Sequence, residues 1–179
     1  PAFIYVNPNL INSLDPCLSG WLGHENPFDF SLKYDPASGI DRMRVGTPPV
    51  IAMAALEASL DIWETVNIND VRETSIQLTD QFIKGVEQKC PMLQLITPRI
   101  PENRGSQVSF SFKHGYAVMQ ACIERGVIGD FRAPDVMRFG FTPLFVDSQD
   151  VERASEILAE IMSKDLWNDP KFQKKNKVT

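Results

Sequence analysis

The residues of this chain that are best suited to chemistry are hydrogen-bond donors to anions. Trp21 lies in Ser-Gly-Trp-Leu-Gly-His-Glu, Thr47 directly precedes two prolines, and Arg138 lies in Val-Met-Arg-Phe-Gly-Phe. An indole N–H and a threonine hydroxyl can each donate to a phosphate oxygen, and a guanidinium can hold a carboxylate through two parallel hydrogen bonds. The three side chains therefore indicate the binding of phosphate and of carboxylate groups.

Each of these residues also has a structural alternative that the sequence leaves open. Thr47 could simply cap the helix that the following prolines predict, although a helix N-terminus beside a hydroxyl also suits a phosphate dianion. Trp21 could belong to a core, although flanking glycines in a loop would let the backbone approach a ligand closely. Arg138 could form a surface salt bridge, although the alternation places it opposite an apolar face, beside Gly140.

A self-contained catalytic site is not expected from this sequence. His24 and His114 are the two histidines, and no HExxH, GxSxG or GxxxxGK[ST] motif is present. The three cysteines are widely spaced without a CxxC, which indicates neither a disulfide framework nor a metal site. We assign no catalytic residue, and we expect His24 to hydrogen-bond to backbone or to a carboxylate.

Composition narrows the class of partner. The 179 residues include 18 basic and 23 acidic side chains, for a formal charge of -5, and no basic stripe with interleaved aromatics precedes the tail, so we expect no nucleic-acid partner. No apolar run approaches the roughly 20 residues that span a bilayer. We therefore expect a soluble, cytoplasmic protein with no membrane partner.

The elements that must position these donors begin with irregular chain. Residues 3–6 predict a short buried strand, which suggests a chain that starts inside a larger fold. Residues 7–49 show no sustained period but many aromatics, which indicates an ordered binding segment. The spacing of Met53, Leu56, Leu60 and Trp63 predicts a helix over about residues 49–66.

A second helix and a small domain follow. Asn69 or Asp70 is expected to cap a helix that continues to the break near Cys90. Its apolar stripe is formed by Val71, Leu78, Phe82 and Val86. Beyond it we predict strands over 93–96, 107–112, 127–131 and 136–141, with helices over about 116–125 and 151–161. This β-β-α-β-β-α order predicts an α+β domain with two helices on one side of a small, mainly antiparallel sheet.

The chain is thereby divided into four segments. Residues 1–48 are expected to end a large domain, 49–90 to form connecting helices, 91–165 to form the small domain, and 166–179 to form a basic tail that frays from Asn168.

Three motifs, in this order and at these separations, resemble kynureninases. They are Gly-Trp-Leu-Gly-His at residues 20–24, Arg-Val-Gly-Thr-Pro-Pro at 44–49, and Met-Arg-Phe-Gly-Phe-Thr-Pro at 137–143. The Arg-x-Gly-Thr element is shared by the wider class-V aminotransferase group, whereas the combination narrows the resemblance to kynureninase. The resemblance extends from residue 1 to about residue 164.

The resemblance implies the carboxy-terminal part of a fold-type I, α/β enzyme that uses pyridoxal 5'-phosphate (PLP) and acts as a homodimer in tryptophan catabolism. It implies hydrolysis of L-kynurenine, and of 3-hydroxykynurenine as a further candidate substrate, to anthranilate and L-alanine. Trp21 and Thr47 would contact the cofactor phosphate, and Arg138 the substrate carboxylate. The family's Schiff-base lysine is absent from this chain, so its missing amino-terminal part would be a partner and the fragment alone would be inactive.

The identity of residue 47 bears on specificity within this resemblance. Animal kynureninases have asparagine at the matching position, and the resemblance implies that threonine accompanies a preference for kynurenine over its 3-hydroxy form.

Two alternatives belong to other classes. Another class-V enzyme, an aminotransferase or a cysteine desulfurase, would share the fold, but a desulfurase needs a cysteine in a mobile loop, for which Cys90 and Cys122 are poor candidates. The second alternative is a non-catalytic α+β interaction module. Such a module would not leave a large exposed apolar surface over residues 1–66, whereas one part of a larger enzyme would.

Overall fold

The computed structural model describes residues 2–174, and the chain divides into two compact units between Thr65 and Val66. The first unit contains irregular chain with 3-10 turns at Ile11–Ser13, Trp21–Gly23 and Gly39–Met43, followed by helix α1 at Val50–Glu64. The predicted long loop region and the first helix are therefore confirmed.

The opening segment does not form the predicted buried strand. Residues 3–6 have no strand assignment, and Phe3 is 95% exposed. A strand is held by hydrogen bonds to a neighbouring strand, and no described segment pairs with these residues. The sequence pattern correctly identified an apolar segment, but a local pattern does not contain the strand that would pair with it.

The apolar face of helix α1 is exposed. None of its residues is buried, and Met53, Leu60 and Trp63 are 44%, 52% and 41% exposed. The 3-4-3 spacing thus predicted the helix correctly, but the described residues do not bury that face.

The second unit opens with α2, Ile68–Lys89. The side chain of Asn67 caps it by accepting a hydrogen bond from the backbone N–H of Asn69, which corrects the prediction that Asn69 or Asp70 is the cap. The predicted apolar stripe is buried at Leu78 and Phe82, and the helix ends at Cys90 before a proline.

Four antiparallel strands form one sheet with the order β1-β2-β4-β3. They are β1 Gln94–Leu95, β2 Gln107–Ser111, β3 Asp130–Arg132 and β4 Val136–Gly140. Strand β3 begins later than predicted because the N–H of Val127 bonds to the carbonyl of Cys122, which makes Val127 part of the turn that ends the preceding helix. The antiparallel sheet and the β-β-α-β-β-α order are confirmed.

The remaining helices are α3 Gly115–Glu124, α4 Ser148–Ser163 and α5 Pro170–Gln173. Gly126 ends α3 at a φ of 87°, as the sequence predicts, and a capping box between Asp147 and Asp150 starts α4. Helix α5 corrects the prediction of a frayed tail from Asn168, because Phe172 is buried in the core. The tail lysines Lys175 and Lys177 lie outside the described residues.

The core of the second unit centres on Phe82 of α2. Its ring lies 5.0 Å from that of Phe139, 5.2 Å from that of Phe141 and 6.2 Å from that of Phe110. Helix α2 therefore joins α3 and α4 in one core with the buried face of the sheet.

No helix between residues 2 and 174 combines the length and apolarity needed to cross a membrane.

Candidate functional site

Two backbone segments of the first unit, residues 19–25 and 42–46, lie against each other. A Cβ on Gly20 would lie 1.8 Å from the carbonyl oxygen of Val45, and one on Gly23 would lie 2.7 Å from that of Arg44. No larger side chain fits at either position without movement of the backbone. The glycines beside Trp21 therefore make room for the chain itself, which corrects the expectation that they make room for a ligand.

The His24 side chain forms hydrogen bonds within this loop. Its Nδ1 accepts a hydrogen bond of 2.9 Å from the backbone N–H of Asn26, and its Nε2 lies 3.2 Å from the carbonyl oxygen of Lys33. Because a carbonyl can only accept, we place the ring proton on Nε2. The hydroxyl of Tyr34 donates to the carbonyl of Gly23 at 2.9 Å and fixes the same loop.

Arg42 and Arg104 bind other groups of their own chain. Arg42 donates from Nε to the carbonyl of Ala37 at 3.0 Å and from Nη1 to that of Asn12 at 3.1 Å. Arg104 is buried and pairs with Asp80. These contacts stabilise loops of the first and second unit respectively.

Arg44 has a weaker partner. Its Nη1 lies 3.5 Å from Oδ1 of Asp41, and both side chains are more than half exposed. Such a pair contributes little to stability in water.

Trp21 lies beside the residue that precedes Thr47. Its Nε1 is 3.9 Å from the position that a Cβ on Gly46 would occupy. The ring is 48% exposed and contacts Phe28 edge to face, with ring centroids 5.7 Å apart. Between residues 2 and 174 no acceptor takes the indole N–H, so this donor is available to a ligand.

Thr47 does not cap helix α1, and the capping alternative is therefore wrong. The cap residue is Pro49, without a side-chain hydrogen bond. Thr47 is exposed, and no described residue bonds to its N–H or its hydroxyl. The N–H of Met53 bonds back to the carbonyl of Pro49, which leaves the N–H groups of residues 50–52 without an acceptor among the described residues.

A cleft of about 540 Å³ opens beside Trp21 in the first unit. Its walls include the rings of Trp21, His24, Phe30 and Tyr34 and the hydroxyl of Ser19. Aromatic walls suit a planar ring, and the indole N–H of Trp21 suits a phosphate oxygen. Thr47 and the start of α1 are not among the residues that line this cleft. The lining residues therefore fit a planar aromatic group.

Arg138 lies in the second unit, on the face of β4 that the alternation predicts. Met137 and Phe139 are buried on the core face, whereas the Arg138 side chain on the other face is 29% exposed. Its register partner on β3 is Asp130. Nε of Arg138 lies 2.5 Å from Oδ1 of Asp130, and Nη2 lies 2.6 Å from Oδ2.

This ion pair keeps both groups charged. The hydrogen bond from Arg138 holds the pKa of Asp130 below its usual value against a smaller, opposing effect of partial burial. The same hydrogen bond raises the pKa of Arg138. Arg132, with Nη2 at 3.7 Å from Oδ2, adds a second cation to the carboxylate.

Sequence reasoning missed Asp130, although a signal for it was present. An acidic residue stands in the strand predicted next to the strand of Arg138, and opposite charges on neighbouring antiparallel strands tend to pair. The exact register of a two-strand hairpin, which decides the pairing, follows from where the turn between the strands begins and ends.

A further cleft lies in the second unit. It has a volume of about 580 Å³, and its lining includes Phe139, Phe141, Val151 and Ile157, on the core side of the sheet. Because Arg138 lies on the opposite face of β4, this cleft does not contain its guanidinium.

The two cysteines of the second unit are unsuited to nucleophilic chemistry. Cys90 and Cys122 are buried, and burial raises the pKa of both thiols, that of Cys122 to about 12. A thiol is a poor nucleophile until it is deprotonated. Cys17 is exposed in the first unit. Among residues 2–174, no group of three or more His, Cys, Asp or Glu side chains is placed to hold a metal ion.

Sequence comparisons identify relatives of one kind. Residues 71–158 match the kynureninase C-terminal domain family. Kynureninase from Pseudomonas fluorescens is 44% identical over 180 residues, covering 99% of this chain and 43% of that protein. Kynureninase from Burkholderia mallei (strain SAVP1) is 42% identical over 181 residues, covering 100% of this chain and 44% of that protein. The chain thus spans less than half the length of these relatives.

Structural comparisons identify the fold. The apo structure of a cysteine desulfurase from Thermococcus onnurineus NA1 matches 89% of this chain and 42% of its own, with a TM-score of 0.74 and 17% identity. The cystine C-S lyase C-DES, in complex with its product cysteine persulfide, matches 87% of this chain and 41% of its own, with a TM-score of 0.70 and 20% identity. A mutant of C-DES with glycine covalently linked to its PLP cofactor has a TM-score of 0.69 and 20% identity, over 87% of this chain and 40% of its own. At these identities the likeness shows a shared fold, the carboxy-terminal region of the fold-type I PLP enzymes.

Proposed function

This chain belongs to the kynureninase family, and from that premise we propose that it supplies the carboxy-terminal part of a PLP-dependent enzyme that hydrolyses L-kynurenine to anthranilate and L-alanine. The observation that carries the proposal is the position of the Trp21 indole, whose Nε1 lies 3.9 Å from the place of a Cβ on Gly46, the residue before Thr47. No acceptor among residues 2–174 takes the indole N–H or the Thr47 hydroxyl, and the chain is 44% identical to a kynureninase.

The cofactor roles follow from these donors. Trp21 and Thr47 bind the phosphate of PLP through the indole N–H, the hydroxyl and the backbone N–H, and the free N–H groups of α1 add the field of the helix N-terminus. Bound PLP supplies the electron sink for cleavage of the Cβ–Cγ bond. In this proposal the Schiff-base lysine lies in the part of the kynureninase length that this chain does not cover.

The substrate role belongs to Arg138. Its guanidinium binds the α-carboxylate of kynurenine and thereby fixes the orientation of the substrate. The ion pair with Asp130 occupies Nε and Nη2, whereas Nη1 has no partner among residues 2–174. The guanidinium therefore keeps donors for a second carboxylate.

In a homodimer of chains of full kynureninase length, other polypeptide would cover the exposed apolar surface of the first unit. Many of its large apolar side chains are exposed, including Phe3, Phe28, Phe30, Leu32 and Ile51 at 95%, 73%, 84%, 107% and 89%. Scattered apolar residues are normal on a surface, but a set this dense indicates contact with other polypeptide. In the dimer we propose, Trp21 and Thr47 serve the cofactor of the neighbouring subunit.

The second candidate function, cysteine desulfuration, has the support of fold likeness alone. Its chemistry needs an accessible thiolate, but Cys90 and Cys122 are buried and their pKa values are raised. The exposed Cys17 is the remaining thiol that could serve it. A free-standing interaction module is disfavoured by the exposed apolar surface of the first unit.

The test uses the full-length enzyme, by which we mean a polypeptide of kynureninase length that ends in this chain. Arg138→Leu should raise the KM for L-kynurenine by at least roughly 10- to 100-fold, because the loss of even one charge-assisted hydrogen bond costs about 1.5–3 kcal/mol. Cofactor absorbance should stay unchanged, and Arg138→Lys should recover part of the loss. An unchanged KM in Arg138→Leu would contradict the carboxylate role.

A further inference from the structure

The pairing geometry of Arg138 and Asp130 is side-on. The carboxylate oxygens bond to Nε at 2.5 Å and to Nη2 at 2.6 Å. A guanidinium has five N–H donors, and this arrangement uses the Nε–H and one N–H of Nη2. The two N–H groups of Nη1 and the second N–H of Nη2 remain, and one from each nitrogen forms a parallel fork at the end of the side chain.

We infer that Asp130 is a positioning residue, which holds the Arg138 guanidinium side-on so that its end-on fork points at a substrate carboxylate. This inference rests on the proposed function, because it assigns Arg138 a carboxylate ligand. The two carboxylates would bind different edges of one guanidinium, so that Asp130 and substrate are bound together and do not compete.

The local charge supports a second carboxylate. Arg138 and Arg132 contribute two positive charges around the single negative charge of Asp130, with Arg132 Nη2 at 3.7 Å from Oδ2. The cluster therefore keeps one net positive charge. An Arg138 that was fully neutralised by its partner would attract a second anion less strongly.

The backbone fixes Asp130 in this position. Asp130 and Arg138 are register partners on β3 and β4, so their side chains leave the sheet on the same face. A Cβ on the preceding Gly129 would lie 2.6 Å from the carbonyl oxygen of Arg138 and 2.8 Å from Cε of Met119. The absence of a side chain at Gly129 lets the start of β3 approach Arg138 this closely.

The face of β4 that carries Arg138 has open space at Gly140. Gly140 lies two residues after Arg138 on the same strand and therefore on the same face, and no heavy atom of the chain's described part lies within 4 Å of the position of a Cβ there. A flexible arginine that reaches into open space loses rotamer freedom when it binds a ligand, whereas one that is already held by Asp130 has less to lose.

Kinetics in the full-length enzyme test this inference. Asp130→Ala should raise the KM for L-kynurenine about tenfold and leave kcat within about twofold. Asp130 orients the guanidinium that binds the substrate and touches no reacting atom. Glu87→Ala is the matched control, because it removes a carboxylate that is paired with another arginine, Arg99, and leaves the two hydrogen bonds between Asp130 and Arg138 intact. Its KM should stay within about threefold of the parent enzyme.

A double-mutant cycle separates positioning from general damage. Asp130→Ala combined with Arg138→Leu should be no worse than Arg138→Leu alone, because Asp130 acts through Arg138. Binding of an aryl ketone inhibitor that lacks an α-carboxylate should be equal in all these variants. If Asp130→Ala does not fold, Asp130→Asn keeps the shape and one acceptor oxygen, and its KM should rise by a smaller factor.

The outcomes are distinct for the two proposals. A raised KM in Arg138→Leu with an unchanged KM in the Asp130 variants would overturn the positioning role and leave the proposed function standing. A lowered KM in Asp130→Asn would overturn it as well, because it would show that Asp130 competes with the substrate. An unchanged KM in Arg138→Leu would instead contradict the carboxylate role on which the inference rests.

Discussion

The carboxylate of Asp130 binds the guanidinium of Arg138 through two hydrogen bonds, across adjacent antiparallel strands of one four-stranded sheet. The strands place both side chains on the face opposite the core, where Arg138 stays 29% exposed. A surface salt bridge and a substrate-binding arginine are therefore not exclusive alternatives at this position, because the ion pair leaves one edge of the guanidinium free.

Gly129 should be intolerant of a side chain. Gly129→Ala would place a Cβ 2.6 Å from the carbonyl of Arg138, so that β3 must shift. We expect a loss of about 1–3 kcal/mol in the free energy of unfolding, measured by denaturant titration. Gly140→Ala is the matched control, because its Cβ would meet nothing within 4 Å in the described structure, and an equal loss in both variants would contradict the steric explanation.

Trp21 should matter for its N–H and not only for its ring. Trp21→Phe keeps an aromatic side chain and removes the donor, so the Kd of PLP for the full-length enzyme should rise about 3- to 10-fold, as expected for about one hydrogen bond. Trp63→Phe, in the last turns of α1, should leave the Kd unchanged. Equal affinities for PLP in the parent and in Trp21→Phe would argue against a phosphate contact by the indole.

Thr47 should influence substrate choice. Thr47→Asn replaces a hydroxyl by an amide at the entrance of α1, and we expect the ratio of kcat/KM values to move toward 3-hydroxykynurenine. The measurement compares kynurenine and 3-hydroxykynurenine with the same enzyme preparation, so that losses of active enzyme cancel. An unchanged ratio would count against a role of residue 47 in specificity.

The three thiols should differ in reactivity in the native chain. Cys17 is exposed and should react with a thiol reagent at neutral pH, whereas Cys90 and Cys122 are buried with raised pKa values and should react after unfolding. Peptide mapping by mass spectrometry distinguishes the three. Rapid labelling of Cys122 in the native state would show that its burial is wrong, and would reopen the desulfurase alternative.

Local periodicity was sufficient to predict three elements of the second unit, α2, β2 and β4. The stripe that contains Leu78 and Phe82 predicted α2, and alternation predicted β2 and β4, because these residues bury against one another within this chain. The cap at Asn67 was missed because three neighbouring polar residues can each cap a helix, and only the start of the hydrogen-bonded turns selects one.

In the first unit, local sequence patterns did not predict burial correctly. The apolar residues 3–6 predicted a buried strand, and the apolar face of α1 predicted burial, but both are exposed in the described structure. Burial depends on a partner surface, which no local pattern contains. The proposed site donors Trp21 and Thr47 follow from residue type and resemblance, whereas the pairing of Asp130 with Arg138 required the register between β3 and β4.

Turnover of L-kynurenine by the full-length enzyme tests the central claim most directly. With PLP added, we expect anthranilate, detected by its fluorescence, and L-alanine in equal amounts. We also expect a KM for L-kynurenine that rises in Arg138→Leu. Release of sulfide or persulfide from cysteine without any anthranilate from kynurenine would contradict the central claim.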